Sequence, residues 1–331
     1  MPLTVALPVI ALAALLLATV PAVAQVGLSA LPLAILFGML YGNFYHKPAS
    51  DVDLRFSKFC KQTLLRGGIV LFGFGLSFQA IMAVGWAAVV LDAIVIISIF
   101  TAGTVIGVRW FGLQRDLAML ISVGSAVCGA AAILATESAI KARTQDVTIA
   151  VSTVVLFGTL AMFIYPFVYP VLEMSAQAFG IYIGSSVHEV AQAVAAGGSV
   201  SVETMKTAVV VKLIRVMMLA PFIIILSWVL SRRRASSEDG GTTNVAVPWF
   251  VFGFIGAAGL NSVLNIAPFV SQALQYASQL LLAFAMAALG AQTQWHNLKS
   301  AGLKPMLLAL TLFVFLMVGG YGLNRLLIIG V

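Results

Sequence analysis

Long apolar runs separated by short clusters of Gly, Pro or charge fill the chain from end to end. Taken in order, they predict helices over 3–24, 27–45, 62–82, 85–108, 116–140, 147–171, 176–197, 205–230, 248–267, 270–290 and 305–329. A helix needs about 20 apolar residues to cross a bilayer, so each run is read as one of about 11 transmembrane helices. The most hydrophilic stretch runs from Arg232-Arg233-Arg234 to Asn244. It is read as a cytoplasmic loop at 231–247 and bounds no soluble domain.

Composition agrees with this pattern. Of 331 residues, 61% are hydrophobic and 9% are charged, against roughly 25% charged in soluble domains. A soluble enzyme and a disordered chain are both excluded. The net charge of +7 is no nucleic-acid footprint, because basic residues in membrane proteins gather in cytoplasmic loops. With the N-terminus inside and all spans alternating, Lys47, Arg55, Lys58, Lys61, Arg109, Arg115, Arg232, Arg233, Arg234, Lys299 and Lys304 share one side. Lys141, Arg143 and Lys206 fall on the other. Eleven against three predicts a cytoplasmic N-terminus and a periplasmic or extracellular C-terminus.

The first apolar run ends in Ala22-Val23-Ala24, as a cleavable signal does, but no Lys or Arg precedes it. Residues 1–26 are therefore expected to stay as a membrane helix. Cys60 and Cys128 give no disulfide framework. No P-loop, GxGxxG or paired CxxC occurs, and no cofactor, metal or enzymatic role is expected.

Without the first helix, ten remain. They divide into a five-helix repeat at 27–171 and a second at 172–331, of opposite topology, a common plan in secondary transporters. The fourth helix of each half is rich in small residues: Val123 to Ala132, including Ser125, Cys128, Gly129 and Ala130, and Met286 to Thr293, including Gly290 and Ala291. Such spacing also serves ordinary helix packing. At matching places in inverted halves it instead points to interrupted helices whose freed amides favour an anion.

Three long segments carry a resemblance. They are Gly129-Ala130-Ala131-Ala132-Ile133-Leu134-Ala135-Thr136-Glu137, Gly180 to Gln192 around Val187-His188-Glu189-Val190, and Arg215-Val216-Met217-Met218-Leu219-Ala220-Pro221. With Ala285 to Gly290, they resemble the YeiH-type bacterial inner-membrane proteins, the sulfate exporter family. The resemblance implies an inner-membrane transporter, related in fold to bile-acid and cation/proton exchangers, with two crossed, discontinuous helices.

Ionisable residues inside spans are costly unless paired or hydrated. His188 and Glu189 fall near the centre of the seventh helix, with Gln192 one turn beyond His188 and Ser185 one turn before Glu189. They are candidates for a substrate or proton path, and equally for buried hydrogen bonds between helices. His188-Glu189-Val190-Ala191-Gln192 approaches HExxH, but Gln192 replaces the second ligand, so a zinc protease is disfavoured. Lys212 and Arg215 lie deep in the eighth helix. They either snorkel or face inward as partners of Glu189, Glu137 or an anion, and the same choice holds for Arg66. Asp92 is read as pairing with a neighbour.

The expected protein is an all-α secondary transporter of a small inorganic or organic anion, sulfate or a related sulfur oxyanion or sulfonate. Its candidate substrate-binding residues are Ser125, Cys128, Gly129, Ala130, Gly290, Ala291, Lys212 and Arg215. The candidate coupling residues are Glu189, His188, Gln192 and Glu137. Expected partners are the bilayer, H+ or Na+ as coupling ion and a second copy in a homodimer, with no nucleic acid. A sodium-coupled organic-anion symporter using Asn261, Asn265, Gln292 and Thr293 is the nearest alternative. A passive channel and an intramembrane protease are further ones.

Overall fold

The computed structural model describes residues 2–20, 30–45, 50–77, 79, 82, 84–234, 249–264, 266–293 and 302–329. Every regular element among them is helical. The helices are α1 (Leu3–Ala18), α2 (Ala30–Phe44), α3 (51–75, with a π turn at Cys60–Leu64), α4 (Gly85–Arg109) and α5a (Arg115–Ala126). Then come α5b (Ala130–Ile140), α6 (Thr144–Leu172), α7a (Ala176–Ser186), α7b (Val190–Gly198), α8a (Val202–Met217) and α8b (Leu219–Arg234). The chain closes with α9 (Trp249–Val263), α10 (Pro268–Gln292) and α11 (303–329). The candidate cleavage site at 22–24, His46, Lys47, most of the 231–247 loop, Asn265, His296 and Lys299 lie outside the described residues.

Helices α4, α6, α8, α10 and α11 are long and apolar enough to cross a membrane; α1, α2 and α9 are shorter and apolar. In space the helices form two groups. One holds α1, α2, α3, α9 and α10; the other holds α4 to α8 and α11. They meet where α7b touches α2 and α10, and where α8a touches α9. Both sequence halves contribute helices to both groups.

The fifth and seventh expected spans are not rods. Arg143, just past α5b, donates to the side chain of Gln114, just before α5a. The two ends of that stretch therefore lie side by side. A methyl group on Gly124 would strike Ile133, nine positions later, at 2.8 Å. Gly180 on α7a and Gly197 on α7b both abut Thr204 at the start of α8a, and Thr204 Oγ1 donates to Ala176 O. Both stretches are helical hairpins with tips at 127–129 and 187–189. Arms of at most twelve residues rise about 18 Å at 1.5 Å per residue, roughly half a bilayer. Because α6 joins the base of one hairpin to the base of the other, the two enter from opposite ends and meet tip to tip. The expected pair of crossed, discontinuous helices is replaced by this pair of hairpins.

The interruption expected at Gly290 is also corrected, because α10 runs unbroken from Pro268 to Gln292. Gly290 serves packing. Added Cβ atoms would lie 2.3 Å from Ala287 O at Gly38, 2.1 Å from Ala291 O at Gly42 and 2.2 Å from Ile35 O at Gly290. Small residues four apart on α2 meet small residues four apart on α10, which lets the backbones touch without a hydrophobic drive in lipid.

Outside the spans, Ser50 and Asp53 form a capping box at the start of α3. Asp53 Oδ1 also accepts from Thr4 N at 3.0 Å, so α1 and α3 begin at the same end of the molecule. Desolvation pushes the Asp53 carboxyl up, but hydrogen bonds from Thr4, Ser50 and Leu3 outweigh it and hold it below its ordinary 3.8. A carboxyl lowered in the folded state stabilises at neutral pH and loses that contribution as pH falls through the lowered value. Asp53→Asn is therefore expected to weaken hydrogen-exchange protection of α1 at pH 7. The gap from wild type should close in acid below pH 3.8. A gap of constant size at every pH would assign the docking of α1 to packing alone.

Candidate functional site

Each hairpin tip brings two helix ends together. The last carbonyls of α5a and α7a have no helical partner, and neither do the first amides of α5b and α7b. Gly129 makes the first tip possible: its φ of 73° and ψ of −132° suit glycine alone. At the second tip Val187 and Glu189 are extended.

The carbonyl ends are held by two cations from α8a. Arg215 Nε donates to Ala126 O at 2.7 Å, Nη1 to Ser185 O at 2.6 Å, and Nη2 to Ser125 O at 2.9 Å and to Ala126 O. Lys212 Nζ donates to Val127 O at 2.9 Å and to Val187 O. Both side chains are 0% exposed. They do not snorkel. They bind one hairpin to the other, with positive charge at the negative ends of two helices. Arg66, by contrast, is exposed.

The amide ends face the opposite charge. Glu189 precedes α7b as its N-cap, and its carboxylate accepts from the backbone N–H of Ala130, the first residue of α5b. A Cβ on Gly129 would lie 2.7 Å from Glu189 Cγ, so the glutamate stem runs directly over the first tip. Gln192 Oε1 accepts from Glu189 N at 3.1 Å. The chain turns at 187–189, so His188 and Gln192 do not share a helical face as a continuous seventh helix would require. The buried Gln192 Nε2 and His188 Nδ1 have no hydrogen-bond partner among the described residues.

The group around the tips is wider than the sequence reading foresaw. Asp92 on α4 is 0% exposed, both its oxygens lack a hydrogen-bond partner among the described residues, and it lies within electrostatic reach of Arg215 and Lys212. Tyr165 on α6 donates to Ser186 Oγ at 2.6 Å. From the other helix group, Lys61 donates to Gln292 and lies within electrostatic reach of Glu189. Polar tips recurring inside apolar runs were the available signal for Tyr165 and Asp92. Lys61 was hidden by its place near a span end.

Ser125, Cys128, Gly129, Ala130, Lys212, Arg215, His188, Glu189 and Gln192 thus come together. Glu137 lies partly buried, two turns along α5b. Gly290 and Ala291 lie elsewhere, packed on α2. Of the residues considered for Na+, Gln292 Oε1 accepts from Lys61, while Thr293 Oγ1 donates to Leu289 O and Asn261 Nδ2 donates to Leu76 O.

The chain is 45% identical over 307 residues to a UPF0324 membrane protein of Pseudomonas aeruginosa, covering 91% of this chain and 86% of that one. It is 45% identical over 308 residues to the UPF0324 inner membrane protein YeiH of Escherichia coli K12, covering 92% and 88%. A UPF0324 membrane protein of Yersinia pestis is 46% identical over 309 residues, covering 91% and 85%. No solved structure matches. The family described as Conserved hypothetical protein 698 matches residues 3–309, and the chain belongs to this UPF0324 family of membrane proteins.

Proposed function

We propose that the protein is a secondary transporter of the bacterial inner membrane, not an enzyme. It moves a small anion such as sulfate or a related sulfur oxyanion by alternating access. The observation that carries this reading is the meeting of two opposed hairpin tips between two helix groups. Their amide ends, Ala130 at the first tip and Gln192 at the second, face a small anionic group, the Glu189 carboxylate. Helix N-termini and unwound backbone at mid-membrane are where transporters hold anions. Lys212 and Arg215 contribute positive potential there while remaining bound to carbonyls. Glu189, with His188 beside it, is the coupling carboxylate for H+. Relatives named as inner membrane proteins support the location.

Orientation follows from the hairpins. With hairpin bases on one side each, Lys141 and Arg143 return to the side of Arg109 and Arg115, leaving Lys206 alone opposite the other thirteen loop cations. That charge bias favours a cytoplasmic N-terminus and a periplasmic C-terminus. The two hairpins, each followed by a long helix, then form an inverted pair.

The reading is tested by uptake of labelled sulfate, sulfite and methanesulfonate into proteoliposomes, with and without imposed H+ or Na+ gradients. Saturable uptake driven by a proton gradient is expected. Sodium-driven uptake would favour the symporter alternative, and fast uptake indifferent to either gradient would favour a channel. No anion flux above empty liposomes would overturn the reading.

A further inference from the structure

Glu189 is placed where a transported anion would have to bind. Its carboxylate lies on the Ala130 amide at the start of an eleven-residue helix arm and caps the nine-residue arm that follows it. The stem passes over Gly129, where a methyl group would not fit. Helix N-termini alone would not define a ligand site. Here a second feature points to one. The Gln192 amide is folded back onto Glu189 N, and its buried Nε2 donor has no acceptor among the described residues. The tip therefore holds more donor capacity than the carboxylate satisfies.

We propose that Glu189 is a tethered anion that competes with the transported one for the same amides. This rests on the transporter reading above. When the carboxylate is charged it fills the tip. When it takes a proton from solution it leaves the amides, and an external anion replaces it, with Gln192 Nε2 as an added donor. Releasing the anion lets the carboxylate return and give the proton back. One proton is then taken up for each anion bound, so anion and proton travel in the same direction. Among the described residues, the charged and titratable groups within electrostatic reach of Glu189 are Lys61 from α3, Lys212 from α8a and Cys128 in the facing tip, with His188 beside it in the chain. Helices α2 and α10, packed on α7b, carry no charged side chain.

Binding of sodium sulfate to the purified full-length protein at constant ionic strength tests this by calorimetry at pH 6 and pH 8. Sulfate itself does not titrate in that interval. Wild type is expected to bind at least tenfold more weakly at pH 8, and Glu189→Gln to bind equally at both, at the wild-type pH 6 affinity. In weakly buffered solution, sulfate should draw about one proton onto wild type and none onto the variant. A pH slope surviving in Glu189→Gln would assign it to His188 or another group and overturn the competition. Wild-type binding without proton uptake would do the same, and that measurement decides the matter if the variant does not fold. Failure of sulfate, sulfite and methanesulfonate to bind either protein at both pH values would remove the transporter reading, and the competition with it.

Discussion

Arg215→Met is expected to yield no folded protein. The guanidinium makes four hydrogen bonds to the carbonyls of Ser125, Ala126 and Ser185, all buried. Each acceptor stripped of its donor in a buried setting costs about 1–3 kcal/mol. Three stranded carbonyls at two helix ends approach the total of about 5–15 kcal/mol that holds a domain together. Lys212, the other cation at the tips, does not substitute, because it is already engaged by Val127 and Val187. Arg215→Lys should recover part of the loss, with one point donor replacing a planar fork. Size-exclusion profiles and thermal unfolding in mild detergent read the effect. An Arg215→Met protein that elutes and melts like wild type would mean that the hairpin tips hold together by packing and not through this residue.

Gly129→Ala separates function from stability in the opposite sense. Its backbone conformation costs a residue with a Cβ about 1–3 kcal/mol, and that Cβ would lie 2.7 Å from Glu189 Cγ and 3.1 Å from Val154 Cγ1. The glutamate must shift, and the Ala130 amide is left misaligned. Transport is expected to fall roughly 10- to 100-fold, the factor that strain of this size represents, while the protein still purifies. Gly290→Ala should do the reverse and lower the melting temperature, because its Cβ would meet Ile35 O in a tight helix crossing. Equal transport by Gly129→Ala and wild type would show that the first tip is not part of the anion path.

Element positions were legible in the sequence because apolar runs and their polar breaks are local. All eleven expected runs correspond to helical stretches in the structure, with most ends shifted by several residues and the start of α3 lying at Asp51, eleven residues before the expected 62. That Lys212 and Arg215 face inward was legible as one of two choices, since polar groups at membrane depth need partners; their carbonyl partners were not. The hairpins were not. Twenty-five mostly apolar residues read alike whether they run straight across or turn back halfway. One sign was nevertheless present: Lys141 and Arg143 fell on the wrong side of the charge tally, and folding the fifth stretch back removes both misfits. Gly290 misled for a related reason. Small residues serve close packing and backbone interruption equally, and only the partner helix tells them apart.

The contact between α2 and α10 also bears on how the protein is made. Gly38 and Gly42 leave the ribosome early, while Ala287 and Ala291, which fill against them, follow roughly 250 residues later. At a synthesis rate of about 5–20 residues per second, this notched face of α2 waits some tens of seconds for its mate. Throughout that interval it must be lined by lipid tails or by a membrane chaperone. Assembly of the first helix group is thus completed nearly last, after both hairpins have been inserted.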